Sequence, residues 1–441
     1  MNKKIQIINN IKTGFRKEFN YMKNVKVVIL GGGVGGIVIA NHLAELLPPE
    51  NEIILVEKNK EHTFAASYLW LMVNKRKTGQ ITATLRELVD ERVKILFEEV
   101  KQIDSEHKII TTEKSKINFD YLVIALGADL DKTHLDKQQN GVHNFFTFEG
   151  ASKLKEALQN FSGGNVSIVV SSLPYKCPGA PFESAMLIAD YLKKQKLWES
   201  IPLGQNKVTV NLYTPEPQPL PVAGPELGTA VKEILINKGI GFYPLNQLTS
   251  INYAERKIEF ASGNSISYDL LVLIPAHKAP EVITKSNLVD ESGWIPVNKD
   301  TLETKYENVF ALGDVTSITI PGRWNPDKPM KLPKAGVFAH SQAITVSKII
   351  AAKVLGKESK EIFCADGFCM LEAGEDLAGF AYGDFYASPH PDVKMKQLGK
   401  SWHWGKVLFE KWWLAPVGLK KSILKMMLIS GGKILKIPID M

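Results

Sequence analysis

Cysteine is scarce in this chain: Cys177, Cys364 and Cys369 are the three among 441 residues. Three thiols are too few for the disulfide framework of a secreted domain, which leaves inert core thiols or a small catalytic set. Cys177 stands in the turn Lys176-Cys177-Pro178-Gly179-Ala180-Pro181-Phe182-Glu183, and a helix-like stretch follows to about Lys194. The start of a helix can lower a thiol pKa, and the thiolate rather than the thiol is the nucleophile of sulfur exchange.

A second group of residues able to do chemistry lies near the beginning. Gly31-Gly32-Gly33-Val34-Gly35-Gly36 follows an apolar run at 25–30 and opens a helix-like run to about Leu47, which Pro48-Pro49 ends. The next apolar run, 53–56, closes on Glu57. Gly31 permits a tight turn, Gly33 lets backbone approach a pyrophosphate, and Gly36 lets helix and strand pack closely. The helix N-terminus faces the phosphates with unpaired N–H groups, and Glu57 is placed to accept hydrogen bonds from ribose hydroxyls. Two further apolar runs end in glycine: 119–127 closes on Gly127, and 306–314 closes on Gly313-Asp314.

The elements around Cys177 repeat part of that pattern. A strand at 166–170 leads into the turn, and another at 208–213 follows the helix-like stretch. The glycine-rich loop is missing, and Pro174, Pro178 and Pro181 remove N–H donors where a phosphate cradle needs them. The strand at 208–213 runs into Thr214-Pro215, with no ribose-binding acid at its tip. This second unit is therefore read as keeping the architecture without binding a nicotinamide.

In chain order these segments resemble the signatures of two-dinucleotide flavoproteins of the glutathione-reductase fold. Residues 177–183 closely resemble the Cys-Pro-x-x-Pro-x-Glu motif of sulfide:quinone oxidoreductases and of the flavoprotein subunit of flavocytochrome c sulfide dehydrogenase, and the resemblance spans roughly residues 24–430. It implies FAD, with Asp314 on a ribityl hydroxyl and Lys334, just before a helix-like run, beside the reduced flavin. It implies that Cys369 is the second redox cysteine and Glu183 the base near the sulfur. Cys364 has no counterpart and is read as a buried or bystander thiol. Relatives that attach FAD covalently do so through a cysteine after the segment matching Gly127 or in the loop matching 63–66; neither place holds one here, so FAD is expected to be non-covalent. The implied activity is oxidation of sulfide to sulfane sulfur or polysulfide, with electrons passed to a membrane quinone. The alternatives are a sulfide dehydrogenase that reduces cytochrome c, a type II NADH:quinone oxidoreductase, and a non-catalytic flavin-binding membrane protein whose cysteines are structural.

The fold class read from these elements is α/β: two Rossmann-like dinucleotide-binding domains and a C-terminal amphipathic membrane-binding segment. The expected division is an extension at 1–22, an FAD-binding domain at 23–145 and 300–348, a second Rossmann-like domain at 146–299, and a C-terminal domain at 349–441. The net charge of +7 is local, because residues 394–441 hold ten lysines against Glu410 and Asp440. Basicity confined to one segment points to a surface partner, not to nucleic acid. From Leu419, the positions Ile423, Met426, Met427 and Ser430 form a helical stripe, with Lys420, Lys421 and Lys425 beside it and Pro416 and Gly418 before it. With four tryptophans, at 402, 404, 412 and 413, residues 402–441 suit helices lying in a lipid headgroup region. A monotopic protein on the cytoplasmic face of an inner membrane is expected, a mitochondrial location also being compatible. No metal site is read, and the sequence leaves open whether copies associate into a homo-oligomer.

Overall fold

The computed structural model describes residues 24–135, 141–198, 208–435 and 437; the extension read at 1–22 lies outside them. The chain opens with β1 (Lys26–Leu30), α1 (Val34–Leu46), β2 (Glu52–Val56), β3 (Lys94–Leu96) and β4 (Tyr121–Ile124). The apolar runs of β1, β2 and β4 are buried almost throughout, as parallel strands covered on both faces must be. Their carboxyl ends lie level, Leu30 standing beside both Val56 and Ile124.

The chain then leaves this sheet to build another: β5 (Val142–His143), β6 (Asn165–Val170), α2 (Ala180–Lys194), β7 (Thr209–Tyr213), β8 (Gly241–Tyr243) and β9 (Leu270–Ile274). These strands pair in the order β5-β9-β6-β7-β8, all parallel. The chain returns with β10 (Val309–Ala311), which completes the first sheet as β10-β4-β1-β2-β3. The long helix α3 (Gly336–Val354) then packs along α1. In such open parallel sheets ligands bind outside the carboxyl ends of the strands.

The C-terminal part is antiparallel and helical. Strands β11 (Asp366–Gly374), β12 (Leu377–Asp384) and β13 (Asp392–Gly399) form a meander. β11 lies on α2, so the third cysteine is carried to the turn that holds the first. Helices α4 (Lys400–Trp413) and α5 (Leu419–Leu435) follow.

These two helices divide the segment that was read as one membrane-facing surface. Trp412 and Trp413 are buried at 5% and 3% exposure, and Trp402 stacks on Phe380. The expectation that the tryptophans lie among lipid headgroups is corrected for Trp412 and Trp413; Trp402 is half-buried and Trp404 stays exposed. The stripe on α5 is exposed as its periodicity implied, with Leu419 at 78% and Met426 at 60%. Lys421 Nζ donates to the carbonyls of Trp413 and Ala415, so α5 is fastened at the C-terminal end of α4, where cations are favoured. Among the described residues no helix is long and apolar enough to cross a membrane.

Candidate active site

A cavity of about 1700 Å³ runs from the glycine-rich loop, past the N-terminus of α3, to Cys177 and Cys369. That is larger than the ~300–1,000 Å³ of most small-molecule sites, as an extended ligand requires. Gly31 turns the chain with φ +100°, and a Cβ there would stand 2.5 Å from the Ala125 carbonyl oxygen. At Gly36 a Cβ would fall 1.8 Å from the Gly31 oxygen, whereas at Gly33, on the cavity wall, it would meet nothing within 4 Å. The open space at Gly33 is where a pyrophosphate would lie, against the uncapped start of α1. Glu57 is held at the tip of β2: Gly32 N–H donates to Oε2 at 2.7 Å and Asn59 N–H to Oε1 at 2.9 Å. The residues present fit a dinucleotide. Gly127 turns the chain after β4 without lining the cavity.

Midway along, Asp314 and Lys334 meet. Asp314 follows Gly313, whose N–H is bound by Gln342 Oε1 at 2.7 Å, and its carboxyl is raised by burial against the pull of Lys176 and Lys334. Lys334 Nζ donates to the carbonyls of Asp314 (2.6 Å) and Thr316 (2.9 Å) and lies 3.4 Å from the centroid of the Trp294 ring. Burial brings its pKa down to about 8, with Asp314 opposing.

The sulfur end is built by three remote pieces of chain. Cys177 has φ +57°, unusual for a non-glycine residue, and its N–H donates to Lys334 O at 2.7 Å. That bond joins the turn after β6 to the segment leading into α3. Cys369 comes from β11; a Cβ on Gly179, two residues past Cys177, would stand 3.8 Å from its Sγ. Both thiols line the cavity, Cys369 with an exposed side chain.

Their electrostatics reverse one expectation. Burial pushes the Cys177 thiol up to about 12, Glu183 adds to the rise, and Lys406 and the Ala180 N–H only partly offset it. The helix start does not lower this thiol, because a short positive turn is outweighed by desolvation and a nearby carboxylate. Cys369 is open to the cavity but closely surrounded by protein, and that enclosure, Glu183 and Cys177 itself raise it. Cys364, expected to be buried or a bystander, is exposed and stands on the cavity wall.

Glu183 is 2% exposed, and its Oε1 takes Lys406 Nζ at 2.5 Å and Glu372 N–H at 2.9 Å. Burial alone would lower the Lys406 ammonium, but Glu183, Glu372 and Cys369 hold it above its ordinary value. Lys406 belongs to an inward stripe of α4. On the same stripe, His403 bonds Glu372 at 3.0 Å, Glu410 binds Arg76 Nη2 at 2.8 Å, and Trp413 Nε1 donates to His62 Nε2 at 2.9 Å. His62 sits beside Gly32 O, so α4 also braces the glycine-rich loop. Sequence reading missed this stripe; its only signal was the spacing of His403, Lys406, Glu410 and Trp413 at helical intervals. It also passed over Glu216, three residues beyond β7, which is buried, lines the cavity and binds Tyr175.

Residues 25–343 match the family described as pyridine nucleotide-disulphide oxidoreductase. The chain is 28% identical over 329 residues to the mitochondrial sulfide:quinone oxidoreductase of Dictyostelium discoideum, covering 71% of this chain and 70% of that protein. It is 26% identical over 402 residues to the sulfide-quinone reductase of Aquifex aeolicus (strain VF5), covering 89% and 90%. The solved structure of the Aquifex aeolicus sulfide:quinone oxidoreductase superposes with a TM-score of 0.76 at 26% identity, over 92% of this chain and 95% of that one.

Proposed function

The chain belongs to the pyridine nucleotide-disulphide oxidoreductase family and, within it, to the sulfide:quinone oxidoreductases, and from that membership we propose that it oxidises sulfide through the Cys177–Cys369 pair while resting on a membrane that supplies quinone. The observation that carries this reading is the convergence of Cys177 and Cys369 on one end of the cavity whose other end is the glycine-rich loop.

The sulfur of sulfide attacks the disulfide formed by the two cysteines. One S–S bond forms, the Cys177–Cys369 bond breaks, and a persulfide and a thiolate result. Two thiols pushed upward by burial are poor nucleophiles as a resting pair, which favours a disulfide, or a sulfur-bridged form of it, as the state that meets sulfide. Lys406 then offers the thiolate a buried positive charge, and Glu183 holds that ammonium in place. The ion pair supports an anchoring role for Glu183 in preference to the base implied by resemblance, since its charge is already matched.

Bound along the cavity without a covalent link, FAD supplies the two-electron acceptor between the thiolate and quinone. Gly33 and the start of α1 would hold its pyrophosphate, Glu57 a ribose and Asp314 the ribityl chain. The start of α3 presents its positive end to the same space, with Lys334 beside it. The exposed stripe of α5 is the surface proposed to meet lipid, on the cytoplasmic face of an inner membrane.

Cys177→Ser tests the thiol chemistry. The variant should keep its flavin absorbance and lose sulfide-dependent quinone reduction; retained turnover would remove the cysteine pair from the reaction.

A further inference from the structure

Beyond the tip of β7 the chain turns a carboxylate into the cavity. Glu216 is 5% exposed, yet it lines the cavity wall. Its Oε2 accepts from the Tyr175 hydroxyl at 2.8 Å and the Thr214 hydroxyl at 3.2 Å. Among the described residues, Oε1 has no hydrogen-bond partner and no cation pairs with the carboxylate. The backbone that carries it is pinned, with Leu245 N–H on Glu216 O at 3.1 Å and Asn246 N–H on Thr214 O at 2.8 Å. Tyr175 is buried two residues before Cys177 in the same turn, close enough for a charge on Cys177 to act on its phenol.

We propose that Glu216, reached through the Tyr175 hydroxyl, accepts the proton that H₂S gives up when it attacks the Cys177–Cys369 disulfide. The inference rests on the thiol reading above and deepens it. The step balances: the H₂S sulfur bonds one cysteine as a persulfide that keeps one hydrogen, the other cysteine leaves as thiolate, and the second hydrogen departs as a proton. The disulfide gains two electrons and the sulfide sulfur loses two. Tyr175 takes that proton on its oxygen while its own passes to Glu216, so the phenol stays neutral, as its strongly raised pKa requires.

The contrast with Glu183 decides which carboxylate does this. Glu183 Oε1 is already occupied by the Lys406 ammonium and the Glu372 N–H, both of which a proton would have to displace. Glu216 has no cation, and burial pushes it up to about 7, with the Tyr175 and Thr214 hydroxyls opposing; Tyr175 is the titratable group that faces it. A base is most effective when its pKa lies near the working pH. Activity needs the ionised carboxylate and undissociated H₂S, whose own first ionisation also lies near neutral pH, so kcat/KM for total sulfide rises with pH up to about 7 and falls above it.

Glu216→Gln in the flavin-loaded protein should lower kcat/KM by about 100-fold, within the usual range for a lost general base, and abolish the rising limb of the pH profile. Glu216→Asp should restore that limb at a reduced rate. A wild-type profile in Glu216→Gln, or a slower rate with the rising limb intact, overturns the proposal and leaves Glu216 a structural brace for the turn. If Glu216→Gln fails to fold, Tyr175→Phe decides, because it removes only the link: it should lose rate and limb together, and wild-type behaviour overturns the relay. Cys177→Ser is assayed alongside. Turnover surviving in it sinks the thiol reading itself, whereas a dead Cys177→Ser beside a normal Glu216→Gln sinks only the proton route.

Discussion

Glu183 and Lys406 are 223 positions apart and meet at 2.5 Å beside the two cysteines, both nearly buried. Removing one partner of such a pair strands the other charge where water cannot reach it. Lys406→Met should therefore destabilise the fold by about 3–5 kcal/mol, and the double change Glu183→Gln with Lys406→Met should recover much of that loss. Chemical denaturation of the three proteins checks it; equal stability of the single and double variants would mean that Glu183 finds another partner. The Cys177 motif was legible in the sequence because its cysteine, prolines and glutamate lie within one turn. The raised thiols were not, because desolvation depends on what packs around a group and not on its neighbours in the chain.

At the scale of elements, the strand–turn–helix of β1 and α1 leaves open space at Gly33 where a ligand is proposed to lie. Two of its glycines should behave oppositely. Gly33→Ala places a methyl in open space, so the fold should survive while bound flavin per protein drops. Gly36→Ala drives a methyl to 1.8 Å from the Gly31 oxygen and should lower the melting temperature. Absorbance ratios and thermal scans separate the two; unchanged flavin content in Gly33→Ala would place the pyrophosphate elsewhere. Helix α4 is the element whose role changed most between sequence and structure. Its lysines and tryptophans read as a lipid-facing surface, but the stripe His403, Lys406, Glu410 and Trp413 turns inward and binds Glu372 on β11, Glu183 on α2, Arg76 and His62. Periodicity finds a helical face; it does not say whether buried polar partners wait opposite it.

At the scale of the molecule, two parallel sheets and a C-terminal meander enclose one long cavity, and α5 projects an apolar stripe beyond them. Each apolar side chain on that stripe should contribute up to about 1.5–3 kcal/mol when buried in lipid. Lys420 and Lys425 beside it should each add on the order of ~1 kcal/mol on anionic vesicles, Lys421 being tied to α4. Leu419→Asp with Met426→Asp should thus release the protein from phosphatidylglycerol-containing vesicles in a flotation assay without changing its flavin content; unaltered flotation would move the membrane contact to another surface. What the sequence by itself determined is local: which glycines turn, which strands are buried on both faces, where Cys177 sits, and which side of α5 is apolar. These follow from the sterics and side-chain periodicity of a few consecutive residues. Resemblance to relatives named Cys369 as the partner of Cys177, but tertiary structure alone decided that β11 is the element that carries it there, that α4 brings Lys406 to Glu183, and that Glu216 enters the cavity behind Tyr175. Such meetings depend on how distant segments pack, and a buried charge or thiol takes its chemistry from the groups that packing sets against it.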